Sequence, residues 1–289
     1  AEEPPAPPPP PAPAAEEAPP PATPAATELL YFSAGTSACV GTATVVSVER
    51  PAEDGGEAAV VLAATLFHPA GGGQPSDVGA LESACGASFV VREALRDAAT
   101  GVVRHLGRFD DCGDPASGFR AGAEVTMRVD AATREIHARV HSAGHLIDLC
   151  MRRAGYPPEV MPPTKGSHAP GAAFVEFKGK LGKEEQAALP AKLEACAREL
   201  IAEDAGVEAV VLPYDEAAAR CPGGLPPYIA VGSSPRVVVM AGEGCPCGGT
   251  HVSRVSEVRG LKVTGVRVRK GVTRVSYEVP GEAAAAAAS

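Results

Sequence analysis

Two short segments, His141-Ser142-Ala143-Gly144-His145 and Cys247-Gly248-Gly249-Thr250-His251, constrain this chain more than any others. Each sets two good metal ligands four residues apart. On a helix, residues i and i+4 stack on one face, so His141 and His145 can converge on one ion. The two glycines between Cys247 and His251 suit a tight turn wrapped around a metal. Imidazole and thiolate together select Zn²⁺ over hard cations such as Mg²⁺. Either pair alone is an ordinary coincidence of a helix face or a turn. Both in a chain of seven histidines point to one shared site. The pairs lie about a hundred residues apart, which excludes zinc fingers and ribbons, whose ligands are local.

At 289 residues the chain has room for two domains plus tails. Its formal charge of −9 argues against nonspecific nucleic-acid binding, and DNA is not expected as a partner. Five of the acids (Glu2, Glu3, Glu16, Glu17, Glu28) fall in the first 28 residues, so the remainder is closer to neutral. No apolar run reaches membrane-spanning length, and no membrane association is expected. Eight cysteines at irregular spacing, with no secretory signal, read as reduced thiols of a cytoplasmic protein, with Cys247 the one that matters. The chain starts at Ala1, which leaves open a trimmed upstream segment and an organellar location. The expected oligomeric state is a monomer.

Residues 1–28 are Pro, Ala and Glu with little to bury, a composition expected to stay disordered or extended. From Val40 to Asp130, short β-branched runs are broken by Gly, Pro and Asp. Strands are expected at 40–48, 58–64, 88–95, 102–106 and 124–129, and a series of short strands without a long helix suggests a small β-barrel. Within it lies Leu66-Phe67-His68-Pro69-Ala70-Gly71-Gly72-Gly73-Gln74-Pro75-Ser76-Asp77-Val78-Gly79. Its glycines allow close backbone approach to a ligand, or simply a loose loop; His68, Gln74 and Asp77 favour a functional segment.

Asp130 can cap a helix running to about Arg153, with Ile136, Val140, Ala143, Ile147 and Cys150 or Met151 as a buried stripe and the histidines on the far side. Asp148 can accept from an imidazole N–H or face solvent. Pro190 reads as the first turn of a second helix. Strands follow at 173–177, 208–212 and 236–240, with a short helix over 215–220. The chain closes in a hairpin, 261–269 and 273–279, turning at Lys270-Gly271. Arg259, Lys262, Arg267, Arg269, Lys270 and Arg274 gather in this hairpin, either as a solvated surface or as a seat for phosphates. The fold class is therefore α+β: a β-barrel over 29–130, an α+β metal-containing domain over 131–279, and a short Ala-rich tail over 280–289.

These segments resemble the AlaX family, free-standing alanyl-tRNA editing proteins similar to the editing domains of alanyl- and threonyl-tRNA synthetases. The resemblance rests on Phe67-His68-Pro69 with Gly71 to Gly79, on His141 to Leu146, and on Cys247 to Val252. It spans most of residues 29–279 and looks like the medium-length form, with a barrel ahead of the editing domain. It implies His141, His145, Cys247 and His251 as ligands of one Zn²⁺ per chain, and Gly71, Gly72, Gly73 and Gln74 as a motif facing the substrate. Many members have Thr where this chain has Ser142, which puts the identity of the rejected amino acid in question. Ser142 and Thr250 are the expected hydroxyl partners at the reacting end. Cys245 is a further thiol beside the ligand set.

The reaction implied is ester hydrolysis on a mischarged tRNA, Ser-tRNA(Ala) foremost and Gly-tRNA(Ala) second, with Arg267, Arg269 and Lys270 as tRNA contacts. Zinc lowers the pKa of bound water to about 7 and polarises carbonyls. Four protein ligands nevertheless describe a closed site, whereas catalytic zinc keeps a position open. Either one ligand is displaced, or the metal orients the α-amino group while another water attacks. Two other readings compete: editing of Ser-tRNA(Thr), and a zinc-stabilised tRNA-binding module without activity.

Overall fold

Alternating apolar residues in the first half of the chain close a barrel. The computed structural model describes residues 25–50, 56–110 and 118–281. A short strand β1 (Glu28–Leu29) and one helical turn α1 (Tyr31–Ala34) lead into β2 (Val40–Glu49), β3 (Ala58–Leu62), β4 (Ala64–Thr65), β5 (Gly79–Ser83), β6 (Ser88–Arg96), β7 (Val103–Phe109) and β8 (Glu124–Val129). The barrel order is β2-β3-β7-β6-β5-β8, antiparallel throughout. Val45, Val60, Leu62, Phe67, Leu81, Phe89, Val91, Val125 and Met127 fill it. Five strands were legible in sequence; the one that closes the barrel, β5, follows the glycine-rich segment and offers too little alternation to announce itself.

The described residues begin inside the tail expected over 1–28. Thr27 is buried, donating to Leu62 O and accepting from Val103 N–H, and Glu28 pairs with Ala64 in β1–β4. Residues 1–24 and 282–289 lie outside the described residues.

Helix α2 (Ala131–Arg153) starts where Asp130 accepts from Thr133 N–H at 2.7 Å. Its apolar stripe enters a second core, formed with α3 (Lys183–Glu203) and a four-stranded sheet. That sheet contains β9 (Pro163–Ser167) and β10 (Phe174–Lys178). A small sheet of β11 (Val207–Val211), β12 (Arg236–Met240) and β13 (Glu243–Pro246) packs with helix α4 (Tyr214–Arg220). The closing hairpin, β14 (Lys262–Arg269) and β15 (Val272–Glu278), completes the four-stranded order β14-β15-β10-β9. It turns at Lys270 and Gly271, both at positive φ, the conformation that joins right-twisted strands with a two-residue loop.

One helix boundary needs correction. Pro190 does not open the second helix but lies inside α3. The start is set upstream, where the Glu185 carboxylate accepts from Gly182 N–H at 2.7 Å and satisfies a helix-end donor that Pro cannot supply. Among the described residues no helix is long and apolar enough to cross a membrane.

Candidate metal centre

His141 and His145 lie on α2, one turn apart, and the loop after β13 brings Cys247 and His251 over them. The four ligand atoms lie within 4.8 Å of one another. Cys247 Sγ is 3.5 Å from His141 Nε2 and 3.3 Å from His251 Nε2. Bonds of about 2.0–2.3 Å to a tetrahedral zinc hold ligand atoms roughly 3.3–3.7 Å apart, so these edges match that geometry.

The rings are aimed from behind. His141 Nδ1–H donates to Gln74 Oε1 at 2.7 Å, leaving Nε2 as the bare lone pair. Gln74 is itself fixed: its Oε1 also accepts from Thr250 N–H (3.0 Å), and its Nε2 donates to Thr250 Oγ1 (2.8 Å). His251 Nδ1–H donates to Ser142 Oγ at 3.2 Å, and that hydroxyl oxygen also accepts from Val252 N–H. Such outer contacts set both tautomer and ring direction. Gly249 sits where no side chain fits, since a Cβ there would lie 2.8 Å from Gln74 Oε1 and overlap the His141 ring. Arg236 Nη1 clamps the loop through Cys247 O (2.8 Å) and Gly249 O (2.9 Å), while its buried Nε has no partner.

The electrostatics suit a cation. Burial, and then the neighbouring imidazoles, push His141 well below the usual range; His251 shifts the same way for the same reasons, with Arg236 adding to it. His145 goes down to about 3, through burial and then His168, Arg152 and Arg236. All three offer neutral lone pairs. Burial pushes the Cys247 thiol up, and the Gly249 N–H and Arg236 pull it back towards the thiolate a metal needs. The residues present therefore fit zinc by donor chemistry and spacing.

The remaining expected site residues are distributed as follows. Ser142 and Thr250 are fully buried behind the cage, holding His251 and Gln74. Gly71 and Gln74 close a tight turn through paired backbone bonds, with Gly72 and Gly73 at positive φ. Gly73 O accepts from His168 N–H at 2.7 Å, tying this turn to the end of β9. Arg267, Arg269 and Lys270 are exposed on β14 and its turn, without contacts to the cage among the described residues. Arg274 is engaged elsewhere, with Glu176 and over the Phe174 ring at 3.8 Å. Asp148 keeps Oδ1 buried without a partner, and burial pushes its carboxyl up to about 7. Cys245 is half-buried, its thiol pushed well up by burial and then by Cys247, and it is not among the four residues that converge. Asp77 and His68 sit beneath the cage, where Asp77 is bound to Arg134. Sequence reading passed over Arg236, at the start of a plain strand, and His168, whose one signal was a further histidine in the short run Gly166-Ser167-His168.

A closed antiparallel barrel beside a group of three histidines and one cysteine that could hold a metal ion defines an α+β protein with a candidate metal centre. Residues 236–276, which hold Cys247, Thr250 and His251, match the family described as Threonyl and Alanyl tRNA synthetase second additional domain. The chain is similar to the alanine–tRNA ligase of Methanothrix thermoacetophila, 32% identical over 234 residues, covering 79% of this chain and 24% of that ligase. Its similarity to the Bordetella petrii ligase is 32% over 237 residues (79% and 25%), and to that of Halobacterium salinarum 29% over 262 residues (87% and 26%). The chain is thus an AlaX-like homologue of alanine–tRNA ligases over about four-fifths of its length, and it spans about a quarter of the length of these curated relatives.

Proposed function

We propose that this chain is a trans-editing hydrolase that deacylates mischarged tRNA(Ala), Ser-tRNA(Ala) first and Gly-tRNA(Ala) second, with one Zn²⁺ held by His141, His145, Cys247 and His251. The observation that carries this reading is the cage itself, whose ligand pairs converge inside a chain similar to alanine–tRNA ligases. Bound zinc would supply Lewis acidity towards an ester carbonyl or hold the substrate's amino group. Gln74 and Ser142 keep two imidazoles in the ligating tautomer, and Thr250 keeps Gln74 in place. Arg236 fixes the loop that presents Cys247. The turn of Gly71, Gly72 and Gly73 brings bare backbone to the cage side, where an acceptor end can approach.

Arg267, Arg269 and Lys270 are read as tRNA phosphate contacts. Their joint replacement by Ala should reduce the log–log salt slope of tRNA binding by about 0.7–0.9 per phosphate lost. The deciding assay is deacylation of Ser-tRNA(Ala), Gly-tRNA(Ala), Ala-tRNA(Ala) and Ser-tRNA(Thr) by the zinc-loaded protein. Preference for the first over the last two supports the proposal, and preference for Ser-tRNA(Thr) moves the activity to threonyl editing. Four protein ligands also favour a second reading, a zinc-stabilised tRNA-binding module. Tight tRNA binding with no turnover of any of the four would establish it.

A further inference from the structure

His168 belongs to none of the motifs above, yet its ring lies against the cage, stacked on His141 with centroids 4.3 Å apart and planes inclined by 21°. The slot that holds it is cut from glycine. A Cβ on Gly144 would stand 2.6 Å from His168 Nδ1 and 2.7 Å from Tyr277 Oη, and one on Gly73 would stand 3.2 Å from His168 Cδ2. Only 6% of the residue is exposed.

Its tautomer follows from its partners. Tyr277 Oη donates to Val140 O at 3.0 Å, so the phenol oxygen is left to accept, and His168 Nδ1–H donates to it at 2.7 Å. Nε2 therefore carries the lone pair. It has no hydrogen-bond partner among the described residues and is not among the polar atoms sealed from solvent. It lies against Gly166, where a Cβ would stand 2.7 Å from Nε2 and 3.1 Å from Cε1. A built, oriented acceptor beside the cage, without a protein partner among the described residues and not sealed from solvent, is arranged for a donor that arrives with a ligand.

We infer that His168 is a substrate-contacting residue whose Nε2 accepts a hydrogen bond from a neutral O–H of the aminoacylated ribose end, a proposal that rests on the deacylase reading above. Two hydroxyls fit that chemistry: the seryl side chain and the ribose hydroxyl next to the ester. The role is one of orientation, with no proton transferred.

The test uses the full zinc-loaded chain and three variants. His168→Phe keeps a ring stacked on His141 and removes the acceptor; His168→Gln returns an acceptor; Gly166→Ala sets a methyl group against Nε2. Substrates are Ser-tRNA(Ala), Gly-tRNA(Ala), and Ser-tRNA(Ala) ending in 2′-deoxyadenosine. Losing one neutral hydrogen bond should lower kcat/KM roughly three- to tenfold in His168→Phe and Gly166→Ala, with zinc content unchanged and part of the rate returned in His168→Gln. A loss on seryl but not glycyl substrate assigns the seryl hydroxyl. A loss on both that disappears with the 2′-deoxy end assigns the ribose hydroxyl. Unchanged kcat/KM in His168→Phe and Gly166→Ala, with active wild type, overturns the inference, as does zinc loss accompanying the His168→Phe defect. If the wild type hydrolyses nothing, affinity for a seryl-adenosine analogue with an amide in place of the ester decides. Weaker binding by His168→Phe supports the acceptor role, equal binding overturns it, and no binding by wild type overturns this inference together with the deacylase reading.

Discussion

Helix α2 carries two buried polar clusters two turns apart, and they are built on opposite principles. At its first end Arg134, 1% exposed, is satisfied in every direction: its Nε meets both Asp77 carboxylate oxygens at 3.0 Å, Nη1 donates to Thr36 O (2.8 Å), and Nη2 donates to Leu66 O (2.6 Å) as well as to Asp77. This cluster pins the helix to the glycine-rich segment and uses both the guanidinium and the carboxylate internally, although His68 Nδ1 and His137 Nδ1 beside it are buried without a partner. Around His141 and His145 the outer nitrogens of His141 and His251 are bonded to Gln74 and Ser142, but the inner atoms, three imidazole nitrogens and a thiol, converge on one another with like polarity. Full pairing of opposite charges, Arg134 with Asp77, marks the structural cluster. Lone pairs left facing a common centre mark the functional one.

The largest effect should come from the cage. Wild type is expected to bind one zinc per chain, and Cys247→Ala to lose it along with deacylation, as elemental analysis and the charged-tRNA assay would show. Full zinc in that variant would remove Cys247 from the ligand set. Next is the structural cluster. Arg134→Met leaves Asp77 buried and unpaired, at a cost of about 3–5 kcal/mol, while adding Asp77→Asn should recover much of it. Denaturant midpoints of the single and double variants measure this, and a single variant as stable as wild type would dissolve the contrast between the clusters.

Acid separates the two regions by a different route. In the barrel His105 is fully buried, bonded to Val60 O and Thr65 Oγ1, and burial pushes it from 6.5 to about 4. Its folded pKa is depressed, so the unfolded chain binds the extra proton between these values. The stabilisation is complete above about 6.5 and is lost as pH falls through about 4, roughly 3 kcal/mol for this one group. Unfolding of metal-free protein from pH 7 to 4 should show that loss, and His105→Leu should flatten the slope; an unchanged slope would place the acid sensitivity in the other buried histidines, such as His68 and His168. Smallest is the outer support: Gln74→Ala should weaken zinc binding by about 10- to 100-fold, read by competition with a chelator. Unaltered affinity would mean that His141 is aimed by packing alone.

Patterns with a local cause were legible in the sequence. The strands Glu124–Val129 and Arg236–Met240 follow from β-branched residues, α2 from the Asp130 cap and its apolar stripe, and the hairpin from Lys270-Gly271. The ligand pairs were legible because i,i+4 spacing is itself geometry. What escaped depends on distant partners. Strand β9, Pro-Thr-Lys-Gly-Ser, has no strand-forming composition and exists because β10 pairs with it and the glycine turn holds the residue after it. Arg134 reads as a solvent-facing helix residue until Asp77 is brought to it. Gln74 lies 176 residues from Thr250, so its grip on the cage could only be seen in three dimensions.

That grip has a thermodynamic consequence. Gln74 belongs to a turn anchored in the barrel, while the ring it holds belongs to a helix buried in the other core. A cation bound by the cage therefore favours the arrangement in which both cores are formed and docked, by an amount that grows with the logarithm of free metal over its dissociation constant. Metal availability becomes a variable of state for the barrel, which supplies no ligand of its own. With zinc saturating, heat should take both cores apart in one transition; with zinc chelated, the shared boundary loosens and the barrel is free to melt on its own schedule.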